Sequence, residues 1–243
     1  MTSTGRIGLL GGTFDPFHHG HLALALSADA ALDLDALHPI PAHIPPHRSQ
    51  QPGASAEHRF AMVALGIAET PGLVVDDREL HNDGPSYTSQ TLASFAVQGW
   101  KASQIFFITG ADAFAEIATW HDYPAILDRA HFVVVSRPGR DVMSLAADLP
   151  RLGSRMRVAT KSTPPPAAET ATPAIWLVQA TTPAVSGSAI RLAVAERRSI
   201  SGLTPPLVEQ HIVRHGLYNR TAGPSQAAGS SGAASELHAK EHV

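Results

Sequence analysis

The feature that most constrains this chain is a short apolar run, Ile7-Gly8-Leu9-Leu10. It passes directly into Gly11-Gly12-Thr13-Phe14-Asp15-Pro16-Phe17-His18-His19-Gly20-His21 and then into the Ala/Leu-rich stretch 22–34. A buried strand ending at the glycines, a turn and a helix form one βα unit, and in a parallel sheet the carboxyl end of such a strand faces ligands. A helix starting near Gly20 or His21 brings unpaired backbone N–H groups and a positive dipole end to the turn, which suits an anion. Gly11 and Gly12 let the backbone approach a phosphate closely, and Gly20 does the same at the helix start. His18 and His21, three residues apart, can aim both imidazoles at one polyphosphate. Such donors stabilise the charge that builds on a phosphorus under attack.

Other readings of this loop lose ground on residue types. No Gly-Lys-Ser/Thr occurs in the chain, and the loop lacks the Gly-x-Gly-x-x-Gly dinucleotide fingerprint. Only Lys101, Lys161 and Lys240 are lysines among the 18 basic residues, so a lysine beside a glycine loop has few possible sources. A zinc site from His18, His19 and His21 is weak, because adjacent histidines point apart and no cysteine or nearby Glu completes a tetrahedral set. The bland alternative, a glycine turn with incidental histidines in a chain holding 14 of them, fits the isolated motif but not its place between strand and helix.

Composition narrows the class further. A formal charge of −3 carries no basic excess, so no nucleic-acid partner is expected. With no cysteine, disulfides, thiolate catalysis and cysteine metal sites are excluded. No apolar run approaches the roughly 18–20 residues of a membrane span. Residues 1–6 lack the h-region of a signal peptide, which makes the cytoplasm the expected location and a membrane partner unexpected.

Apolar runs at 37–40, 73–75, 105–108, 132–135 and 175–178 read as further strands, separated by helical patterns at about 56–68, 89–97, 188–195 and 206–215. Ser55 is placed to cap the first of these helices. Strands alternating with helices predict an α/β fold, a Rossmann-like doubly wound parallel sheet with helices on both faces and C-terminal helices. The expected organisation is one domain over residues 1–220 with a Pro-rich surface insertion at about 140–173. A Gly/Ser/Ala-rich tail over 221–243 is expected to be disordered. Nothing in the sequence fixes an oligomeric state.

Segments in order along about residues 5–220 resemble the His-x-Gly-His nucleotidyltransferase superfamily and, more narrowly, the bacterial nicotinate-nucleotide adenylyltransferases. They are Gly11–Leu22, Pro45-Pro46-His47-Arg48, Ser86-Tyr87-Thr88 with Thr91-Leu92, Gly110-Ala111-Asp112 with Trp120, Ser136-Arg137-Pro138-Gly139, Val185–Arg191 and His215-Gly216-Leu217-Tyr218. The resemblance implies that ATP and nicotinate mononucleotide are joined into deamido-NAD with release of pyrophosphate. It also implies Mg²⁺ carried by the ATP phosphates rather than by a side chain, and no covalent enzyme intermediate.

By the same resemblance, Gly11, Gly12, Thr13, Phe14, His18, Gly20, His21, Ser186, Ser188, Ile190 and Arg191 serve ATP, with His18, His21 and Arg191 in catalytic roles. Arg48, Tyr87, Thr88, Gly110, Asp112, Trp120 and Arg137 serve the acceptor: Trp120 stacks on a pyridine ring, Tyr87 and Thr88 meet its carboxylate, Asp112 binds ribose, and Arg48 and Arg137 hold phosphate. Ser186 also reads as a plain helix cap, and Asp15 orients backbone groups, meets a metal-bound water or simply caps the turn. The family's usual Ser-Ser-Thr-x-Ile-Arg is here Ser186-Gly187-Ser188-Ala189-Ile190-Arg191, so one hydroxyl is missing. Three readings compete with this one. A transferase acting on phosphopantetheine or a phosphorylated alcohol lacks support from Tyr87, Asp112 and Trp120. An aminoacyl-tRNA synthetase fragment would need a lysine-rich second motif. A non-catalytic nucleotide-binding regulator would not need His18, His21 and Arg191 intact.

Overall fold

The computed structural model describes residues 5–46, 51–159 and 172–219. Six strands form one parallel sheet: β1 (Ile7–Gly12), β2 (Ala36–Pro41), β3 (Ile105–Gly110), β4 (His131–Val135), β5 (Met156–Val158) and β6 (Ile175–Val178). Their order is β2-β1-β3-β4-β6-β5. The chain leaves β1 toward one edge and returns to its other side as β3, so the connections reverse between β1 and β3. That reversal is where an open α/β sheet leaves a crevice at its carboxyl edge.

Strand side chains alternate between two cores. Leu10, Phe106, Ile108, Val133, Val135, Trp176 and Val178 face one side, where α1 (His19–Leu32), α2 (Ala56–Ile67), α6 (Gly187–Ala195) and α7 (Pro206–Arg214) pack. Ile7, Leu9, Ile105, Phe107, Phe132, Val134, Ile175 and Leu177 face the other, covered by α3 (Thr88–Val97), α4 (Ala111–Ala115) and α5 (Leu145–Asp148). Burial on both faces explains why these strands read as continuous apolar runs. The expected doubly wound fold is present. Among the described residues, no helix is long and apolar enough to cross a membrane.

Three local expectations are corrected. β1 does not stop at Leu10 but runs through Gly11-Gly12, paired there with Ile40 and Pro41 of β2. The expected strand at 73–75 is reduced to a single bridge, Leu37 with Leu73. Leu37 N–H donates to Gly72, and Val74 and Asp76 donate to Leu37 and Pro39. The N–H that would continue the ladder belongs to Pro39, which has none.

The third correction concerns the stretch from about 140, expected to open a surface insertion. It buries Val142, Leu145 and Leu152 and then forms β5, which pairs with β6. β5 escapes the sequence reading because Met156-Arg157-Val158 is too short to show a period and sits at the sheet edge. The Pro-rich core of that insertion, 160–171, and the tail from 220 onward lie outside the described residues, as does Arg48.

His131 in β4 yields a pH prediction. Its Nδ1 accepts from Ala174 N–H (3.0 Å) and Trp176 Nε1 (3.2 Å), and burial depresses its pKa to about 4. The unfolded chain takes up that proton near 6.5. This contribution is therefore whole above pH 6.5 and is lost as pH falls toward 4. Denaturant unfolding should show stability lower by about 2–3 kcal/mol at pH 4.5 than at pH 7 from this residue. His131→Asn, which keeps an acceptor, should flatten that part of the profile. An unchanged profile in the variant would remove His131 from this role.

Candidate functional site

The loop after β1 is held from several directions. Phe14 adopts a left-handed backbone (φ 52°), and its ring meets His21 edge-on at 4.9 Å, while Phe17 stacks on His21 at 5.6 Å. His18 is the N-cap of α1, with its own N–H donating to His21 Nδ1 at 3.3 Å. The His18 and His21 rings stack at 3.7 Å. The three-residue spacing read from the sequence thus places the two imidazoles face to face.

His18 is 2% exposed, and its Nδ1 has no hydrogen-bond partner among the described residues. Burial, followed by the charge of Arg137, lowers its pKa to about 3, so it is a neutral imidazole at pH 7. Arg137, two residues past β4, supplies a second orphan: its Nη1 is also buried without a partner among the described residues. A Cβ built on Gly20 would lie 3.0 Å from His18 Nδ1 and 3.5 Å from Arg137 Nη1, so both nitrogens flank the glycine in the first turn of α1. Two unpartnered buried polar groups at a helix N-terminus are a cost unless something arrives to satisfy them. An anion does so.

Beside the loop, a cavity of about 250 Å³ opens between Gly11, Gly12 and Thr13 and the segment Ser86-Tyr87-Thr88. Phe107 and Thr109 line it together with Trp120, whose ring stands edge-on to Phe107 at 6.0 Å. Tyr87 precedes α3 and makes no side-chain cap, and its carbonyl accepts from Gln90 N–H at 2.9 Å and Thr91 N–H at 3.2 Å. Tyr87 also stacks on His121 at 4.4 Å, and Ser89 Oγ lies 2.9 Å from His121 Nδ1. Glu79 lines the same cavity, buried and bonded by Thr91 Oγ1; burial raises its pKa.

The start of α6 forms the far wall. Ser186 Oγ accepts from Ala189 N–H at 3.2 Å, so the plain cap reading of Ser186 is realised. Ser188 Oγ accepts from Arg191 Nη2 at 3.2 Å, and Arg191 Nη1 donates to the Asp15 carbonyl at 2.6 Å. Ile190 is fully buried in the core, with its N–H bonded to the Ser186 carbonyl at 3.1 Å. Asp15 turns away from the cleft: its carboxylate accepts from Gly53 N–H (2.8 Å), Ala54 N–H (3.1 Å) and the Tyr218 hydroxyl (2.8 Å). Of its sequence readings, orienting backbone groups, here the Gly53 and Ala54 amides, is the one the geometry carries.

The structure thus brings Gly11, Gly12, Thr13, Tyr87, Thr88 and Trp120 around one cavity, and His18, Gly20, His21 and Arg137 around the loop. Phe14 supports the loop from the core side. Asp112 is exposed and lies against Gly110, whose Cβ position also meets Arg137 Cγ at 3.1 Å. Neither Gly110 nor Asp112 lines that cavity.

Sequence reasoning missed Phe107, Thr109, Glu79, His121 and Arg59. Fully buried Arg59 donates to the carbonyls of Thr13, Ala42, His43 and Ala54. The one available signal was an arginine inside an apolar helix face of α2; the others sit in runs whose facing only the folded sheet reveals.

Gly187 has a physical reason. A Cβ there would stand 2.8 Å from the Asp15 carbonyl oxygen and 3.3 Å from Arg191 Nη1. The oxygen is backbone and cannot swing aside. Gly187→Ser, which restores the family's more usual residue, should cost about 1–3 kcal/mol of stability. Thermal unfolding reads this, and a variant as stable as the parent would show that the loop yields.

A profile of the Cytidylyltransferase-like family matches residues 9–193. The protein of Chromohalobacter salexigens named "Probable nicotinate-nucleotide adenylyltransferase" is 42% identical over 213 residues, covering 88% of this chain and 95% of its own length. A Pseudomonas syringae protein of the same name is 40% identical, over 88% of this chain and 93% of that protein. Among solved structures, Plasmodium falciparum nicotinic acid mononucleotide adenylyltransferase complexed with NaAD superposes with a TM-score of 0.64. That superposition has 16% identity and covers 88% of this chain and 97% of that one, a likeness of fold. Loop, sheet order and sequence agree: the chain belongs to the cytidylyltransferase-like nucleotidyltransferases and, within them, to the nicotinate-nucleotide adenylyltransferase family.

Proposed function

We propose that this protein transfers the adenylyl group of ATP to nicotinate mononucleotide, releasing pyrophosphate and forming nicotinate adenine dinucleotide in NAD biosynthesis. The observation that carries the reading is a junction. The cavity lined by Trp120, Tyr87 and Thr88 opens onto Gly11-Gly12-Thr13, the first residues of the loop that holds the buried, unpartnered His18 Nδ1. A flat aromatic acceptor on one side and a polyphosphate on the other would meet over that glycine pair.

In this proposal a phosphate oxygen of the mononucleotide attacks the α-phosphorus of ATP in line. One P–O bond forms as the bond to departing pyrophosphate breaks, with no enzyme nucleophile between. Catalysis then rests on positioning and charge stabilisation. Neutral His18 donates a hydrogen bond rather than a charge, and the nearby Arg137 guanidinium supplies the charge. His21 is fixed by Phe14 and Phe17 against the ring of His18. Arg191 and the α6 N-terminus face the β- and γ-phosphates. The hollow of about 500 Å³ lined by Ser136, Arg137, Arg140 and Gln179 leaves room for the ATP nucleoside. On the acceptor side, Trp120 stacks on the pyridine ring, Thr88 and the α3 amides meet its carboxylate, and Asp112 and Arg48 remain assigned to ribose and phosphate.

Mg²⁺ is part of the proposal, and the donors fit a metal held by ATP: imidazole and guanidinium face the phosphates, while Asp15 is engaged by Gly53, Ala54 and Tyr218. Bound there, it would neutralise phosphate charge.

The test is pyrophosphate release from ATP and Mg²⁺ with either nicotinate or nicotinamide mononucleotide. Turnover should favour the acid; no turnover with either acceptor would sink the proposal, and preference for the amide would overturn its acceptor. His18→Ala should lower kcat about 10²- to 10³-fold while the protein stays folded. Trp120→Ala should raise KM for the mononucleotide about tenfold and leave KM for ATP nearly unchanged. Equal effects on both substrates would move Trp120 out of the acceptor site.

A further inference from the structure

We propose that Tyr218 is a positioning residue for the ATP side of the site, acting through Asp15. The proposal rests on the reading of the loop as the ATP site. Tyr218 is 203 residues from Asp15 in sequence, and its hydroxyl donates to Asp15 Oδ1 at 2.8 Å. How the chain gets there is written in its local structure. At the end of α7, Gly216 takes a left-handed backbone (φ 59°), Gly216 N–H bonds to Val213 and Leu217 N–H to Ile212. These two bonds form a Schellman closure, which turns the chain sharply back. Tyr218 itself sits at φ 63°, a left-handed conformation that a bulky residue adopts only where its surroundings hold it.

The ring then enters a slot that only glycine leaves open. A Cβ on Gly53 would lie 3.1 Å from Tyr218 Cδ1 and 3.2 Å from Arg191 Cδ. Gly53 N–H donates to the same carboxylate that Tyr218 binds, at Oδ2. Burial, then the neighbouring Asp15 carboxylate, pushes the phenol pKa up, which keeps the hydroxyl a donor at any working pH.

The consequence reaches Arg191. Its Nη1 stands 2.6 Å from the Asp15 carbonyl and 3.4 Å from Asp15 Oδ2, so the orientation of Asp15 sets where that guanidinium points. Remove the phenol O–H and Oδ1 keeps only the Ala54 amide among its described partners. The carboxylate gains freedom to rotate toward Arg191 and draw the guanidinium off its bond to the loop carbonyl. The acceptor cavity shares none of these partners: Tyr87, Thr88 and Trp120 belong to the other face of the sheet. A role confined to packing would be served equally by phenylalanine.

Tyr218→Phe is therefore the decisive variant. Hydrogen–deuterium exchange should rise in segments 13–17 and 51–55 of the variant, with the melting temperature within a few degrees of the parent. KM for ATP should rise about five- to tenfold, a loss of about 1–1.4 kcal/mol in apparent binding, with KM for the mononucleotide within twofold of the parent. In an Asp15→Asn background the same change should add less than twofold. Unaltered exchange in both segments, or equal losses on both substrates, would overturn the proposal. If the parent turns over neither acceptor, the functional reading fails by itself, and the exchange comparison still decides whether Tyr218 holds Asp15. If Asp15→Asn does not fold, the single variant decides in the same way.

Discussion

A buried carboxylate must be paired, and Asp15 is paired by chain segments far apart in sequence. It is 3% exposed and draws on Gly53 and Ala54 at the head of α2, Arg191 from α6 and Tyr218 beyond α7. Leaving such a group unsatisfied would cost several kcal/mol. The folded state therefore fixes the three segments relative to the loop that carries Asp15. Arg59 does the converse from beneath, binding the carbonyls of Thr13, Ala42, His43 and Ala54. Between a buried anion and a buried cation, the loop has little freedom left.

That rigidity lets the site keep orphaned groups. His18 Nδ1, and Arg137 Nη1 beyond β4, are buried without partners among the described residues, an arrangement a mobile segment would relax by turning them to water. Held in place, they make the preorganised site that the proposed reaction calls for, where a hydrogen bond or charge to an anion would act at low local dielectric and need no reorganisation. Burial also keeps His18 neutral.

The two faces of the sheet divide the work. Helices α1 and α6, with Tyr218, converge on the loop from one face. Trp120, Tyr87 and Phe107 line the cavity on the other. The faces meet where β1 and β3 diverge, and there Gly11 and Gly12 leave room for the neighbouring aromatic rings. A Cβ on Gly11 would touch Phe107, and one on Gly12 would touch Phe14.

The sequence by itself determined the βα unit, the parallel sheet and the identity of the loop, because burial on both faces and a glycine turn leave direct marks on local residue order. It also marked Tyr87, Thr88 and Trp120, which the fold gathers at one cavity. Only the tertiary structure decided the rest. Whether 73–75 becomes a strand depends on the missing N–H of Pro39 across the pairing. Whether position 187 tolerates a side chain depends on the Asp15 carbonyl, 172 residues earlier in the chain. That Arg137 stands beside His18, and that Tyr218 and Arg59 grip the loop, follows from contacts between segments distant in sequence. Such contacts leave no period or motif because the partners are chosen by the fold, and a lone arginine or tyrosine looks the same in sequence whether it faces water or a buried carboxylate.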